Sequence, residues 1–417
     1  MQQSHSRLIA VSPVHYGWII LAAGTFGSFM TMPGQTSAVS VFIGPVIADL
    51  HITQTQVAFA YTVGTLAGIL PAPLIGRWID RRGPRLTATV IALGLAVACA
   101  AMAVVLSWMT LLVGFALLRG AAIGGLSLVS QQVVNLWFVE RRGLAAAGAS
   151  LGLAAGSMVF PILIEALIQL YGWRGAYLAL GAIVALTILP VAAALFRDRP
   201  ERFGLWPDAG LAPRALTFRE EPSFTRSAAL QTSVFWLLCV SSFLANAIGT
   251  GLLLNHFSVM AAVGLERPAA LSLLGPYAAI QAVATLGTGA LLDRIQPKHL
   301  VPLAMVTLAA ATILAAFGSG ALFGWLYAVA LGAALGSHQA INAAGFAHYF
   351  GRDHLGSIRG ASFVFGVGGA AFGPLPFAAS VAWTGSYSAV LVGCCMLCLA
   401  CTLAAVIVKP PSSGCAS

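Results

Sequence analysis

Twelve times along this chain an apolar run of about 20 residues or more ends at a short polar break, and about 20 apolar residues is what a helix needs to cross the hydrocarbon of a bilayer. A soluble globule is excluded. Of the 417 residues, 59% are apolar and 8% charged, and mean hydropathy is +0.91, whereas a soluble domain carries about 25% charged residues. The expected fold is all-α, with transmembrane helices near 16–43, 54–77, 86–106, 109–136, 144–168, 174–196, 230–258, 269–292, 299–318, 321–347, 357–381 and 384–408. These are spans one to twelve. The segment ahead of Tyr16 is short and polar, and the run that follows is too long for a signal-peptide core of roughly 7–15 residues, so a retained first span is expected. One long polar interruption carries Pro200, Pro207, Pro213 and Pro222 and divides the chain six plus six. The expected domains are a bundle over 1–196, a cytoplasmic linker over 197–229 and a second bundle over 230–417.

Basic residues collect on the cytoplasmic side of a membrane. With the N-terminus inside, all 21 Lys and Arg except Arg119, Arg174 and Arg267 fall on inner segments. Both termini are therefore expected in the cytoplasm, with Arg174 and Arg267 outside. The net charge of +9 then anchors loops at an anionic leaflet, and no contiguous basic face points to nucleic acid. Cys394, Cys395, Cys398 and Cys401 lie in an apolar run without nearby His or acid, so they read as core-filling rather than as a metal or redox site.

The two sixes are copies. Gly76-Arg-Trp-Ile-Asp80-Arg81-Arg-Gly-Pro84-Arg85 recurs about 213 residues later as Gly289-Ala-Leu-Leu-Asp293-Arg294-Ile-Gln-Pro297-Lys298. Gly120 and Gly124 answer Gly332 and Gly336; Gly152 and Gly156 answer Gly369 and Gly373; Trp173-Arg-Gly-Ala-Tyr177 answers Trp383-Thr-Gly-Ser-Tyr387. Two halves of like topology permit one to rock against the other about a site on the axis between them. Asp80, Arg81, Arg85, Asp293 and Arg294 in the paired turns are the candidate gating residues.

The paired turn and the six-plus-six layout resemble the major facilitator superfamily over essentially the whole chain. Leu118-Arg119-Gly120-x-x-x-Gly124 is similar to that family's arginine motif in span four. Asn135-Leu-Trp-Phe-Val-Glu140-Arg-Arg-Gly143, with Arg199-Pro-Glu-Arg-Phe-Gly204, resembles bacterial members of the monocarboxylate and oxalate/formate branch. That resemblance implies a bacterial inner-membrane carrier and a contact from Asp80 to the start of span eleven near Gly356 and Ser357. The branch often carries a basic residue midway along span eight, where this chain has Gln281-Ala-Val-Ala-Thr285-Leu-Gly287.

Other chemistries find little support. Gly366-Val-Gly368-Gly369 has no preceding strand and no acidic partner about 20 residues on, so it is packing rather than a dinucleotide loop. No Walker lysine is present, and no cofactor, metal or obligate protein partner is expected. Gly148, Gly152 and Gly156 give span five one flat face for a neighbouring helix.

Polar side chains deep in spans are the substrate-site candidates, because lipid would penalise them. Arg119 lies about 16 Å in from Trp108 at 1.5 Å per residue, near mid-bilayer. Its candidate companions are Gln35, Gln131, Asn135, Asn246, Gln281, His338 and Asn342, and His338 and Asn342 share one face at i, i+4. Glu165 reads as a solvated carboxylate near the outer surface, and His256 as an outer-edge residue available to a gate. The expectation is a secondary transporter of a small organic solute, a carboxylate moved with a proton. The alternative is export of hydrophobic or drug-like compounds, weakened because span five has Gly156-Ser-Met-Val-Phe-Pro161 where the family's antiporters usually show adjacent Gly-Pro.

Overall fold

A computed structural model describes residues 15–138, 142–198, 200–203, 205, 224–292, 294–350 and 355–408, all of whose regular structure is helical. Ten helices among the described residues are long and apolar enough to cross a membrane. Twelve spans follow when two irregularities are read correctly. Spans five and six run as one helix, Arg142–Leu195, interrupted only at Gly172 with φ 67° and ψ 171°, a backbone state glycine adopts without a Cβ clash. Span one is the other case, being split into Tyr16–Phe29 and Thr36–Leu50 by the 3₁₀ turn Met32-Pro33-Gly34. Pro33 has no N–H to continue the helical ladder. The second piece also outlasts the expected end at 43, since the helix continues until His51 turns left-handed at φ 51°.

The chain divides into two compact units, Met1–Leu216 and Thr217–Ser417. Within the first, span two breaks at Leu70-Pro71 before the helix Ala72–Arg82, and span three is Pro84–Ala103. Span four begins as Trp108–Arg119, passes through a π-helical stretch over Gly120–Ser127, and resumes as Leu128–Trp137. Within the second, the spans are Ser233–Leu254, Arg267–Leu292, Pro297–Phe317, Gly320–Phe350, Leu355–Phe372 continuing as Pro374–Thr384, and Ser388–Ile407.

Small residues set how closely these helices approach, because lipid tails supply no hydrophobic drive between them. A Cβ on Gly152 would lie 2.1 Å from the Thr25 carbonyl oxygen, and one on Gly373 would lie 2.1 Å from that of Ala247. Span five thus seats on span one as span eleven seats on span seven. Span four meets span two through Gly120 and Gly68, and span ten meets span eight through Gly332 against Tyr277 and Gly336 against Gln281. Cys394, Cys395, Cys398 and Cys401 are buried free thiols in the core of the second unit.

Candidate functional site

Arg119 is held at the place where two helices of the first unit lose regularity. Arg119 is the last residue before the π-helical stretch of span four, and the 3₁₀ turn of span one packs there. A Cβ on Gly34 would stand 2.4 Å from Ala122 Cβ and 2.8 Å from the Leu118 carbonyl oxygen. This close approach brings the Gly34 carbonyl to the guanidinium: Arg119 Nη1 donates to it at 3.2 Å. The Tyr61 ring of span two lies 4.3 Å from Arg119 Cζ, a cation–π geometry. Tyr61 is in turn fixed, its hydroxyl 2.7 Å from Thr36 Oγ1 and its ring edge-on to Phe115 at 5.6 Å.

Arg119 is only 3% exposed, and a guanidinium carries five N–H donors. Among the described residues its one hydrogen bond is to Gly34, and Nε is buried with no partner. A π-helical insertion frequently marks a functional site.

The other residues of the first unit divide. Gln35 is half-buried and donates from Nε2 to Thr31 Oγ1 at 3.2 Å, whereas Gln131 is exposed and donates to Ser127 Oγ at 3.1 Å. Asn135 is exposed near the C-terminal end of span four. Glu165 is half-buried and accepts from Gln169 at 3.4 Å. Sequence reasoning missed Gly34, Thr36 and Tyr61. The Pro-Gly dipeptide at Pro33-Gly34 was the available signal for the break, whereas nothing in a lone tyrosine within an apolar run separates it from core.

In the second unit Leu331 occupies the position before Gly332 that Arg119 occupies before Gly120, and it is buried. His338 is buried with Nε2 lacking a partner, beside a Thr288 Oγ1 to Ser337 Oγ hydrogen bond of 2.9 Å. Asn342 and Gln281 are half-buried, and the Asn342 carbonyl accepts from Arg359 Nη2 at 3.5 Å. Asn246 donates to its own helix at the Ser242 carbonyl, 2.8 Å away. His256, just past the end of span seven, is 1% exposed, its Nε2 is 2.8 Å from the Ala270 carbonyl oxygen, and its ring stacks on Tyr327. Among the described residues no three His, Cys, Asp or Glu side chains gather as a metal site.

Asp80 lies in the last turn of Ala72–Arg82, and its side chain is outside the described residues. Arg81 is exposed, while Arg85 Nε donates to the Ala193 carbonyl of span six at 2.6 Å. The turn at Gly83, φ 80°, presses on Asp198, whose carbonyl accepts from Trp137 Nε1 at 2.9 Å. Arg294 is exposed; Asp293 and the 351–354 segment lie outside the described residues, as do the side chains of Gly356 and Ser357.

Two units that repeat the same helix contacts, one of them with a buried cation, match the internal repeats of many membrane carriers. The chain belongs to the Major Facilitator Superfamily, whose model matches residues 21–374. It is 26% identical to monocarboxylate transporter 6 of Mus musculus over 43% of this chain and 38% of that protein. It is 25% identical to the oxalate:formate antiporter of Oxalobacter formigenes over 54% of this chain and 51% of that one. The chain thus spans about half, or less, of the curated relatives it matches. Among solved structures, a bacterial homologue of the human lysosomal transporter Spinster aligns with TM-score 0.67, 16% identity and 94% of both chains. The nucleoside transporter NupG aligns with TM-score 0.69 and 13% identity over 93% of this chain and 99% of that one. These likenesses establish the fold, that of a multi-pass membrane protein.

Proposed function

We propose that this transporter moves a small organic carboxylate together with a proton across the bacterial inner membrane by alternating access, with Arg119 receiving the negative group. One observation carries the reading: a guanidinium at mid-span is 97% removed from contact with solvent yet makes one hydrogen bond among the described residues. A cation left in that state is costly, by at least about 2.5–3.5 kcal/mol on insertion scales, and an anionic partner offsets the cost. The named relatives handle monocarboxylates, oxalate and formate, which supports a carboxylate. His338 is the proton-accepting candidate, being buried with Nε2 unpartnered. Gln35, Gln131 and Asn135 in the first half, and Asn246, Gln281 and Asn342 in the second, supply neutral hydrogen bonds. Asp80, Arg81, Arg85, Asp293 and Arg294 gate the inner side. Both termini and the 197–229 linker face the cytoplasm.

A second reading has a specific observation behind it. The Gly34 bond makes Arg119 a brace between spans four and one, which leaves export of hydrophobic compounds open as the function. Purified protein in liposomes, given an imposed pH gradient and labelled formate, lactate, oxalate and amphiphiles, separates the two. Carboxylate uptake driven by an acidic exterior is expected. Amphiphile movement without carboxylate movement would replace the proposal with export.

A further inference from the structure

We infer that His256 is a proton-binding site whose occupation opens the junction between spans seven and eight; the inference rests on the proposed proton coupling only for its use in transport. Span seven ends at Leu254, the helix His256–Ala262 follows, and span eight begins at Arg267. His256 Nε2 lies 2.8 Å from the carbonyl oxygen of Ala270, in the first turn of span eight. A carbonyl only accepts, so Nε2 carries the hydrogen and Nδ1 is left as a lone pair. That lone pair is buried and has no partner among the described residues.

Span ten closes the other side of the junction. The Tyr327 ring stacks on the imidazole with centroids 6.1 Å apart. Gly324, one turn earlier, makes room for Leu265 of the junction, whose Cδ1 is 2.8 Å from where a Cβ would stand. The Tyr327 hydroxyl is also buried without a partner among the described residues. Two stacked rings thus each carry a polar atom whose hydrogen bond is unmet, a cost that contact with water removes.

A proton needs no cavity, only a lone pair and surroundings that decide when the charge can stay. Among the described residues of spans seven, eight and ten, the only Asp, Glu, Lys or Arg is Arg267, whose guanidinium lies 4.5 Å from the Phe257 ring. Phe257 in turn packs edge-on to His256 at 5.4 Å. Glu266, just ahead of span eight, is exposed. The phenols of Tyr277 and Tyr327 complete the nearby titratable groups, since Cys239, His338 and His348 lie about three turns or more away along their helices. With no acid against it and an arginine close by, the closed junction admits neutral His256, whereas an opened and wetted one takes the proton. The closed state is therefore favoured above the ordinary histidine value of about 6.5, and acidification through that value shifts the balance to the open state. Acid on the side the junction faces opens it, which is the order of events that proton-driven uptake requires.

Amide hydrogen exchange of the full-length purified protein at pH 7.5 and pH 5.0, corrected for the intrinsic effect of pH on exchange, tests this. An open state with an ordinary histidine gains about thirtyfold between those values, so residues 256–270 of wild type are expected to exchange up to about thirtyfold faster at pH 5.0. The 385–387 junction between spans eleven and twelve, which holds no histidine or acid, is expected to stay within about twofold. His256→Gln keeps a donor for the Ala270 carbonyl and loses the titrating lone pair, so its corrected rates are expected to match at both pH values. Tyr327→Phe removes one unmet hydroxyl and is expected to slow exchange of 256–270 about fivefold or more while the acid response persists. A wild-type acid response below about threefold, or one retained in His256→Gln, overturns the inference. Should His256→Gln fail to fold, an acid response that the 385–387 junction shares overturns it instead. Absence of slowing in Tyr327→Phe overturns the part given to its hydroxyl. The exchange measurement needs no substrate, so failure of proton-driven lactate uptake in liposomes strikes the transport reading while the exchange result still decides the proton site.

Discussion

Spans four and ten are the same helix of a duplicated unit, and they have been put to different use. In the first half the helix carries Arg119, turns π-helical over Gly120–Ser127, and meets glycine on the neighbouring helix at Gly68. In the second half the helix Gly320–Phe350 runs without such a stretch, carries Leu331 at the matching position, and uses Gly332 and Gly336 against the backbone of Tyr277 and Gln281. The charge therefore comes with irregular backbone, an aromatic face and a freed carbonyl. An apolar residue at the same place in the repeat needs none of these.

The largest expected effect comes from moving the charge alone. Leu331→Arg places a guanidinium in a buried site where no tyrosine or 3₁₀ carbonyl has been provided, and a loss of about 2.5–3.5 kcal/mol or more in stability is expected. Thermal melts of the detergent-purified variant against wild type check this. A near-normal melt would mean the surroundings of Arg119 are incidental to holding it.

Next are the seams that the halves share. Gly152→Ala and Gly373→Ala each set a Cβ 2.1 Å from a backbone carbonyl oxygen, so both should destabilise by roughly 2–4 kcal/mol, as overpacking against backbone does. Gly289→Ala meets nothing within 4 Å and, being helical, should be neutral or stabilising by up to about 1 kcal/mol. Equal melting temperatures for Gly152→Ala and Gly289→Ala would contradict the seam.

The smallest effect lies at Arg174, whose place in the repeat is uncharged in the second half. Arg174 pairs with Asp49, donates to the Val105 carbonyl at 3.0 Å and covers the Trp173 ring at 4.3 Å; Thr384 stands at its place in the repeat. The hydrogen bond from Arg174 holds the Asp49 carboxyl below its usual 3.8. A carboxyl lowered in the folded state stabilises above its unfolded pKa, and that contribution is lost as pH falls through the folded value. Wild type should therefore melt slightly above Asp49→Asn at neutral pH, and the two should converge below the usual carboxylate range. A difference that grew on acidification would show that Arg174 does not hold Asp49.

The layout of the chain was legible because its signals are local: run length and the spacing of the Asp80 and Asp293 turns each survive in a single sequence. The place of Arg119 partway along span four was legible for the same reason. Its surroundings were not, since Tyr61 and Gly34 come to it from spans one and two, and only packing joins residues that distant in the chain. The π-helical stretch has no compositional mark beyond glycines that also serve close approach. Likewise Arg85, a candidate gating residue, spends its Nε on the Ala193 carbonyl, a partner 108 positions away.

The central claim is that Arg119 binds the negative group of the substrate, and equilibrium binding of labelled lactate to purified Arg119→Gln and Arg119→Lys tests it most directly. The account predicts that both fold, that Lys binds weakly because it keeps the charge without the planar fork, and that Gln does not bind. Wild-type affinity in well-folded Arg119→Gln would contradict it and leave Arg119 a brace between spans four and one.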